Sequence, residues 1–364
     1  LGIPVVTAWD AHDIIWDSHP MYCGRPGSVG NRAGNFIIQN ADLLIVVGCR
    51  LNIRMIGFNF GEFAKNAYKI AIDIDEAELH KPTVHVDYPI HADLRDVLRD
   101  IVSSDYKKKD KHAEWLGWCR GLNEKYPVTL PEYYQDERGL NPYAFMAEFF
   151  KELREDDSIV CGNGSACVIS FQAAIIKRKQ RLYTNSGCAA MGFGLPAAIG
   201  ACVAKPDKRI ICIDGDGSFM MNIQELQTIV FNQLNVKIFL LNNNGYHSIR
   251  QTQENLFKGQ DFVGIGGGYG LSIPEFFKVV PAFGIPYYRI DSLDNVQDRI
   301  NEALNAEGPV FCEVFVDWHQ NFAPKSSSKV LPSGQIVSAA IDDMAPFIDR
   351  LEYENNHISF EVKE

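Results

Sequence analysis

No two cysteines in this chain stand in a C-x-x-C spacing, and no apolar run approaches the ~18–20 residues a membrane-spanning helix needs. Basic charge is also short: 35 Lys and Arg face 46 Asp and Glu, and the net charge of −11 argues against a nucleic-acid-binding face. No stretch of these residues reads as a secretory signal peptide. The chain opens at Leu1, not Met, directly on a strand-like run from Ile3 to Thr7, and so reads as a fragment or a processed chain. Its nine cysteines lie singly at 23, 49, 119, 161, 167, 188, 202, 212 and 312, several of them inside apolar runs. That is the pattern of reduced, buried thiols in a cytoplasmic protein. His80, His85 and His91 are close in sequence, but their irregular spacing fits no metal site and leaves them as surface histidines.

What is present is enough chain for more than one core: 364 residues, 46% hydrophobic and 22% charged. The most informative stretch runs from Ile210 to Asn244. An apolar run, Ile210 to Ile213, stops at Asp214-Gly215-Asp216-Gly217-Ser218; a helix-like segment follows from about Asn222, and a second apolar run, Val236 to Leu241, ends in three asparagines. Strand, turn, helix, strand is a βαβ unit, and its two strand ends share one sheet edge. Asp216 and Asn243 are therefore expected to be neighbours in space. Glycines 215 and 217 allow close backbone approach to phosphate oxygens, and the following helix offers free N–H groups to an anion. One carboxylate plus one amide oxygen suits Mg²⁺, which keeps phosphate or water in its other positions.

The stretch GDGS, helix, NNNG resembles the thiamine diphosphate signature of the 2-oxo acid enzymes, and most of all their acetolactate synthase-like branch. The resemblance implies that Asp216, the side chain of Asn243 and the backbone carbonyl of Gly245 hold Mg²⁺. It implies a fold of two doubly wound parallel-sheet α/β domains. Residues 1–102 would be the central domain, 103–140 a linker region beginning at the charged SSDYKKKDK, and 141–364 the diphosphate-binding domain with a tail laid across the site. Asn141-Pro142 is expected to start a helix, with Asn as N-cap and Pro at the first position.

Within the second domain, CGNGSA (161–166) ends a strand at the same edge, so Asn163, Gly164 and Ser165 are expected to meet the diphosphate alongside Gly215, Gly217, Ser218 and Tyr246. The match of MGFGLPAA makes Met191 the apolar support beneath the cofactor rings; its thioether fills such a place without demanding a hydrogen bond. GYHSIRQTQ (245–253) should face the substrate. Gln251 and Gln253 match a family Q-x-Q whose middle residue is usually Trp and is here Thr252, and Ser248 stands where methionine is usual. The wall is thus more polar, which favours a more polar substrate. His247 is a candidate proton donor or a helix-surface histidine, and GGGYG (266–270) reads as a mobile segment over the edge.

In the first domain, the glycines of GRPGSVGNRAG do not follow a strand in G-x-G-x-x-G spacing, so a dinucleotide loop is rejected. The family's central domain often binds FAD, and by position Arg50, Asp75 and Asp93 would approach it. Against this, GCRLNIR (48–54) lacks both acidic residues of the usual GARFDDR, and a domain without ligand is the alternative. The glutamate that activates the cofactor has no match here; in this family it comes from an N-terminal domain of a neighbouring subunit. The expectation is a thiamine diphosphate- and Mg²⁺-dependent carboligase or decarboxylase of a 2-oxo acid, a homodimer or homotetramer in the cytoplasm, with the present chain inactive alone. The alternative is a non-catalytic cofactor-binding subunit, regulatory or structural, of the same family.

Overall fold

Two separate parallel sheets form where the chain carries its apolar runs. In the computed structural model, residues 1–106, 112–135, 137–257, 262–330 and 333–358 are described. The chain groups into two compact units: Leu1–Trp9, His19–Pro127 and Ala323–Glu364 in one, Asp10–Ser18 and Val128–Phe322 in the other. Among the described residues no helix is long and apolar enough to cross a membrane.

The first unit holds β1 (Leu43–Val47), β2 (Tyr68–Asp73) and β3 (Tyr88–His91), parallel and in that order. β1 is an edge strand, with Leu43 47% and Val47 43% exposed. The expected strand at Ile3–Thr7 reduces to one parallel bridge between Val5 and Tyr22. The glycines of the 24–34 loop serve packing: a methyl on Gly30 would lie 2.3 Å from the Arg25 carbonyl oxygen, and one on Gly34 2.6 Å from Asn31 Oδ1. That same Asn31 oxygen accepts from Gly34 N and caps the helix Arg32–Gln39.

The compact units gather segments from across the expected bounds. The helix Ala113–Lys125, assigned to a linker, buries Cys119 and Leu122 against Ala33, Phe36 and Ile37 of the first unit. The tail also belongs to this unit rather than to the second. Asn35 Nδ2 donates to the Ile341 carbonyl at 2.9 Å, Arg32 to that of Pro346 at 2.7 Å, and Asn40 to that of Asn356 at 2.9 Å. Of the charged stretch SSDYKKKDK, residues 107–111 lie outside the described residues, and Ser103 ends the helix Leu94–Ser103.

The second unit is built on six parallel strands: β4 (Ser158–Cys161), β5 (Arg181–Tyr183), β6 (Ile210–Gly215), β7 (Val236–Asn242), β8 (Tyr287–Ile290) and β9 (Val310–Phe315). Their order is β5-β4-β6-β7-β9-β8. The chain moves outward from β4 to β5 and then returns to the other side of β4, so the order reverses between β4 and β6. Ligand crevices of open α/β sheets lie beyond the strand ends at such a switch point. β6 and β7 are covered on both faces, which is why they read as continuous apolar runs instead of alternating ones. Ile210, Cys212, Ile238, Leu240 and Phe311 pack with Phe219, Leu226 and Ile229 in one core. Asn141 accepts from the N–H groups of Tyr143 and Ala144 with Pro142 at the first helical position, as the Asn-Pro pair requires.

Candidate functional site

At the switch point the ends of β6 and β7 meet. Gly215 pairs with Leu241 in the register, so the two following loops leave the sheet side by side. Asp216 opens a short helix, Asp216–Phe219, and is 1% exposed. Its Oδ1 accepts from Gly217 N at 2.6 Å, and its Oδ2 from Gly245 N at 3.0 Å, which joins the two loops directly. Burial pushes the Asp216 carboxyl up to about 7, against the backbone N–H groups that pull it down. Asn243 donates through Nδ2 to Ser165 Oγ at 3.2 Å, while its Oδ1 is buried with no hydrogen-bond partner. A buried acceptor left over in this way is costly unless something fills it. Gly245 sits at φ +143°, and a methyl there would lie 1.9 Å from the Ile265 carbonyl oxygen, so the turn admits no side chain.

The other expected residues converge on the same edge. Asn163 donates to the Ala189 carbonyl at 3.0 Å, which fixes the turn after β4 to the loop carrying Met191. Ser218 accepts from Gly192 N at 3.0 Å. Met191 itself is 36% exposed. The helix Ser165–Ala173 begins after Gly164 at φ +61° with no side-chain cap, so its first N–H groups are open to an anion. Tyr246 covers Gly217: a methyl on that glycine would lie 2.2 Å from the ring.

Three features of the site were not read from the sequence. Asn222, taken as a helix start, donates to the Gly192 carbonyl at 2.8 Å and ties the same loop a second time. Asp214 is fully buried, and burial pushes its carboxyl up to about 7. Methyl groups on Gly162 and Gly194 would lie 2.0 and 2.5 Å from its oxygens, so those glycines make room for it. A charged residue inside a doubly covered strand was the available signal for Asp214, and also for Glu313 in β9.

The wall at 247–253 divides into a buried and an exposed face. In the helix His247–Phe257, His247, Arg250 and Gln251 form the buried face. His247 packs edge-on to Phe322 with ring centroids 4.9 Å apart, and Gln251 exchanges hydrogen bonds with the Phe322 backbone at 3.3 and 3.5 Å. Gln253 does the same with Val263 at 2.9 and 3.0 Å. These side chains hold neighbouring segments; the exposed face carries Ser248, Ile249 and Thr252. GGGYG is seated too: Gly266 bridges Gly245, and Tyr246 N donates to Ile265 O at 2.7 Å.

In the first unit the three flavin candidates are engaged locally. Arg50 holds Glu78 through Nε at 2.7 Å and Nη2 at 2.5 Å, while Lys81 takes the other Glu78 oxygen at 3.0 Å. Asp75 and Asp93 cap the N-termini of the helices that follow them. His80, His85 and His91 are exposed, and all nine cysteines are free thiols.

Among the described residues no group of three or more His, Cys, Asp and Glu is placed to hold a metal ion. A cation here would need a mixed oxygen set. One buried carboxylate, one buried amide oxygen without a partner and a glycine-only turn fit that need.

Residues 162–314 match the family model of the thiamine pyrophosphate enzyme C-terminal TPP binding domain, and residues 1–101 that of the thiamine pyrophosphate enzyme central domain. The chain is 32% identical over 356 residues to a probable acetolactate synthase large subunit of Methanococcus aeolicus, covering 94% of this chain and 57% of that protein. It is 33% identical over 326 residues to the acetolactate synthase isozyme 1 large subunit of Escherichia coli (strain K12), covering 88% and 55%. The acetolactate synthase large subunit of Cyanidium caldarium is 31% identical over 341 residues, covering 91% and 57%. The chain thus spans just over half the length of these curated relatives.

Proposed function

The chain belongs to the thiamine pyrophosphate enzyme family, as central and C-terminal domains of its acetolactate synthase-like branch, and from that premise we propose that it is the cofactor-holding part of a thiamine diphosphate- and Mg²⁺-dependent carboligase or decarboxylase acting on a 2-oxo acid. The observation that carries this reading is the unpaired, buried Oδ1 of Asn243 in a loop tied to buried Asp216 through Gly245. Asp216, Asn243 Oδ1 and the Gly245 carbonyl would hold Mg²⁺. Because Asp216 must be ionised to do so, cation binding draws a proton from a carboxyl that burial holds near 7. The open N–H groups of the helix Ser165–Ala173 and of the Gly215–Ser218 turn would take the diphosphate oxygens, and Met191 would support the rings. Bound there, thiamine diphosphate supplies the electron sink that lets a 2-oxo acid lose its carboxylate. The free thiols support a cytoplasmic setting. The same reading carries a homodimer or homotetramer.

A second reading, a non-catalytic cofactor-binding subunit, is favoured by one observation: the Gln251 amide is spent on the Phe322 backbone. Titration calorimetry with thiamine diphosphate, with and without Mg²⁺, tests the common premise; absence of Mg²⁺-dependent binding by the full-length protein would refute it. Carbon dioxide release from a panel of 2-oxo acids by the full-length protein then supports the enzyme, and binding without release supports the second reading.

A further inference from the structure

Glu313 lies in no motif, yet it is a buried carboxylate, 2% exposed, in the middle of an apolar strand. It accepts from two neighbours: Asn242 Nδ2 at 2.5 Å and the Tyr287 hydroxyl at 2.5 Å. Asn242 is the last residue of β7 and stands immediately before the loop assigned above to the cation. Its Oδ1 accepts from Asn244 N at 2.9 Å. Asn244 and Gly245 are consecutive left-handed residues, at φ +58° and +143°. Two such residues in a row persist where the surroundings over-determine them.

A carboxylate can only accept hydrogen bonds, whereas an asparagine amide can face either way. Glu313 therefore makes Asn242 turn its NH₂ toward β9, and this leaves Oδ1 facing the loop, where it captures Asn244 N–H. Were the amide reversed, Asn244 N–H would meet another donor and the left-handed pair would lose its anchor. We propose that Glu313 is a positioning residue for the cation site, acting through the orientation of the Asn242 amide on the Asn243–Gly245 loop. The inference rests on the metal-site reading given above. Outer-layer groups that orient metal ligands typically change metal affinity 10–100-fold when removed.

The test is Mn²⁺ binding in the presence of thiamine diphosphate, followed by the electron paramagnetic resonance of free Mn²⁺, with folding checked by circular dichroism. Glu313→Leu should weaken Mn²⁺ binding by about 10-fold or more, and Glu313→Gln, which keeps one acceptor oxygen, should recover most of that loss. Asn242→Ala, at a half-buried position, gives the same weakening should Glu313→Leu fail to fold, and combined with Glu313→Gln it should weaken binding no further. Tyr287→Phe removes the other hydrogen bond to Glu313, and should lower the thermal midpoint with Mn²⁺ affinity unchanged. Wild-type affinity in Asn242→Ala or in folded Glu313→Leu overturns the proposal, as does an equal affinity loss in Tyr287→Phe. Absence of Mn²⁺ binding by the wild-type protein overturns the metal-site reading itself, and this inference with it.

Discussion

Replacing Asp216 by asparagine should abolish the response to Mg²⁺ and, in the metal-free protein, raise stability at pH 8. The carboxyl ordinarily titrates near 3.8 and is held near 7 by burial. A folded-state value above the unfolded one means that the unfolded chain ionises first as pH rises. Stability therefore falls between pH 3.8 and about 7, and the cost is complete above that window. At 1.36 kcal/mol per pH unit, the ionised carboxylate costs the folded state on the order of 4 kcal/mol at pH 8. Asparagine carries no such cost. It can, however, accept from only one of Gly217 N and Gly245 N through its single oxygen, and its NH₂ opposes the other, a penalty of about 1–3 kcal/mol.

The balance for Asp216→Asn is a gain of roughly 1–3 kcal/mol at pH 8, or about 2–10 °C in the melting of a unit this size. Near pH 4 most of the titration benefit is absent, the penalty remains, and the variant should be the less stable of the two. Wild-type protein with Mg²⁺ and thiamine diphosphate at 100 times Kd should gain about 2.7 kcal/mol, and the variant nothing. Melting curves at pH 4 and 8, with and without the two ligands, supply every comparison. A variant that is less stable than wild type at pH 8 without metal would refute the burial argument, and one that keeps the Mg²⁺ response would refute the ligand assignment.

Two further outcomes follow from charged groups away from the site. Asp157 and Arg209 form a two-point ion pair at 2.8 and 2.5 Å, with side chains 1% and 9% exposed, so Arg209→Ala leaves a buried carboxylate alone and should cost about 3–5 kcal/mol in denaturant titration. His357 bonds buried Asp342 at 2.8 Å, and this bond pulls its imidazole above 6.5. Its contribution is full below pH 6.5 and is lost as pH rises through the raised value. Amide exchange over Arg350–Asn355, corrected for intrinsic rates, should therefore quicken from pH 6 to pH 8.5 in wild type, and show no such change in His357→Gln.

The sheet edge was legible because parallel strands buried on both faces write themselves as apolar runs, and their ends carry whatever chemistry the fold holds. GDGS and NNNG bracket one helix, so the meeting of Asp216 with the 243–245 loop followed from connectivity alone. The membership of the tail did not. It rests on side-chain amides and a guanidinium of the first unit reaching backbone carbonyls more than 300 positions away, and such bonds leave no periodic trace. The burial of one face of the 247–257 helix left no trace for a related reason. Positions 247, 250 and 251 do lie on one face, but which face turns to the site depends on Phe322, which the pattern of the helix cannot reveal.

The site is built from backbone and amide groups, with Asp216 as the one carboxylate of its proposed cation set. Its competence therefore depends on the register of several loops more than on the reach of long side chains. Each junction is narrow: the Gly162 and Gly194 backbones press on Asp214, Gly217 on the Tyr246 ring, and Gly245 on the Ile265 carbonyl. At Gly162, Gly194, Gly217 and Gly245 a single methyl group would force the backbone or a ring to move. At Asn163, Asn222, Asn242 and Asn243 the loss of an amide frees a loop without touching the core. Sensitivity to substitution should thus concentrate at glycine and asparagine, and a search of this edge for charged catalytic side chains would overlook the residues that hold it in place.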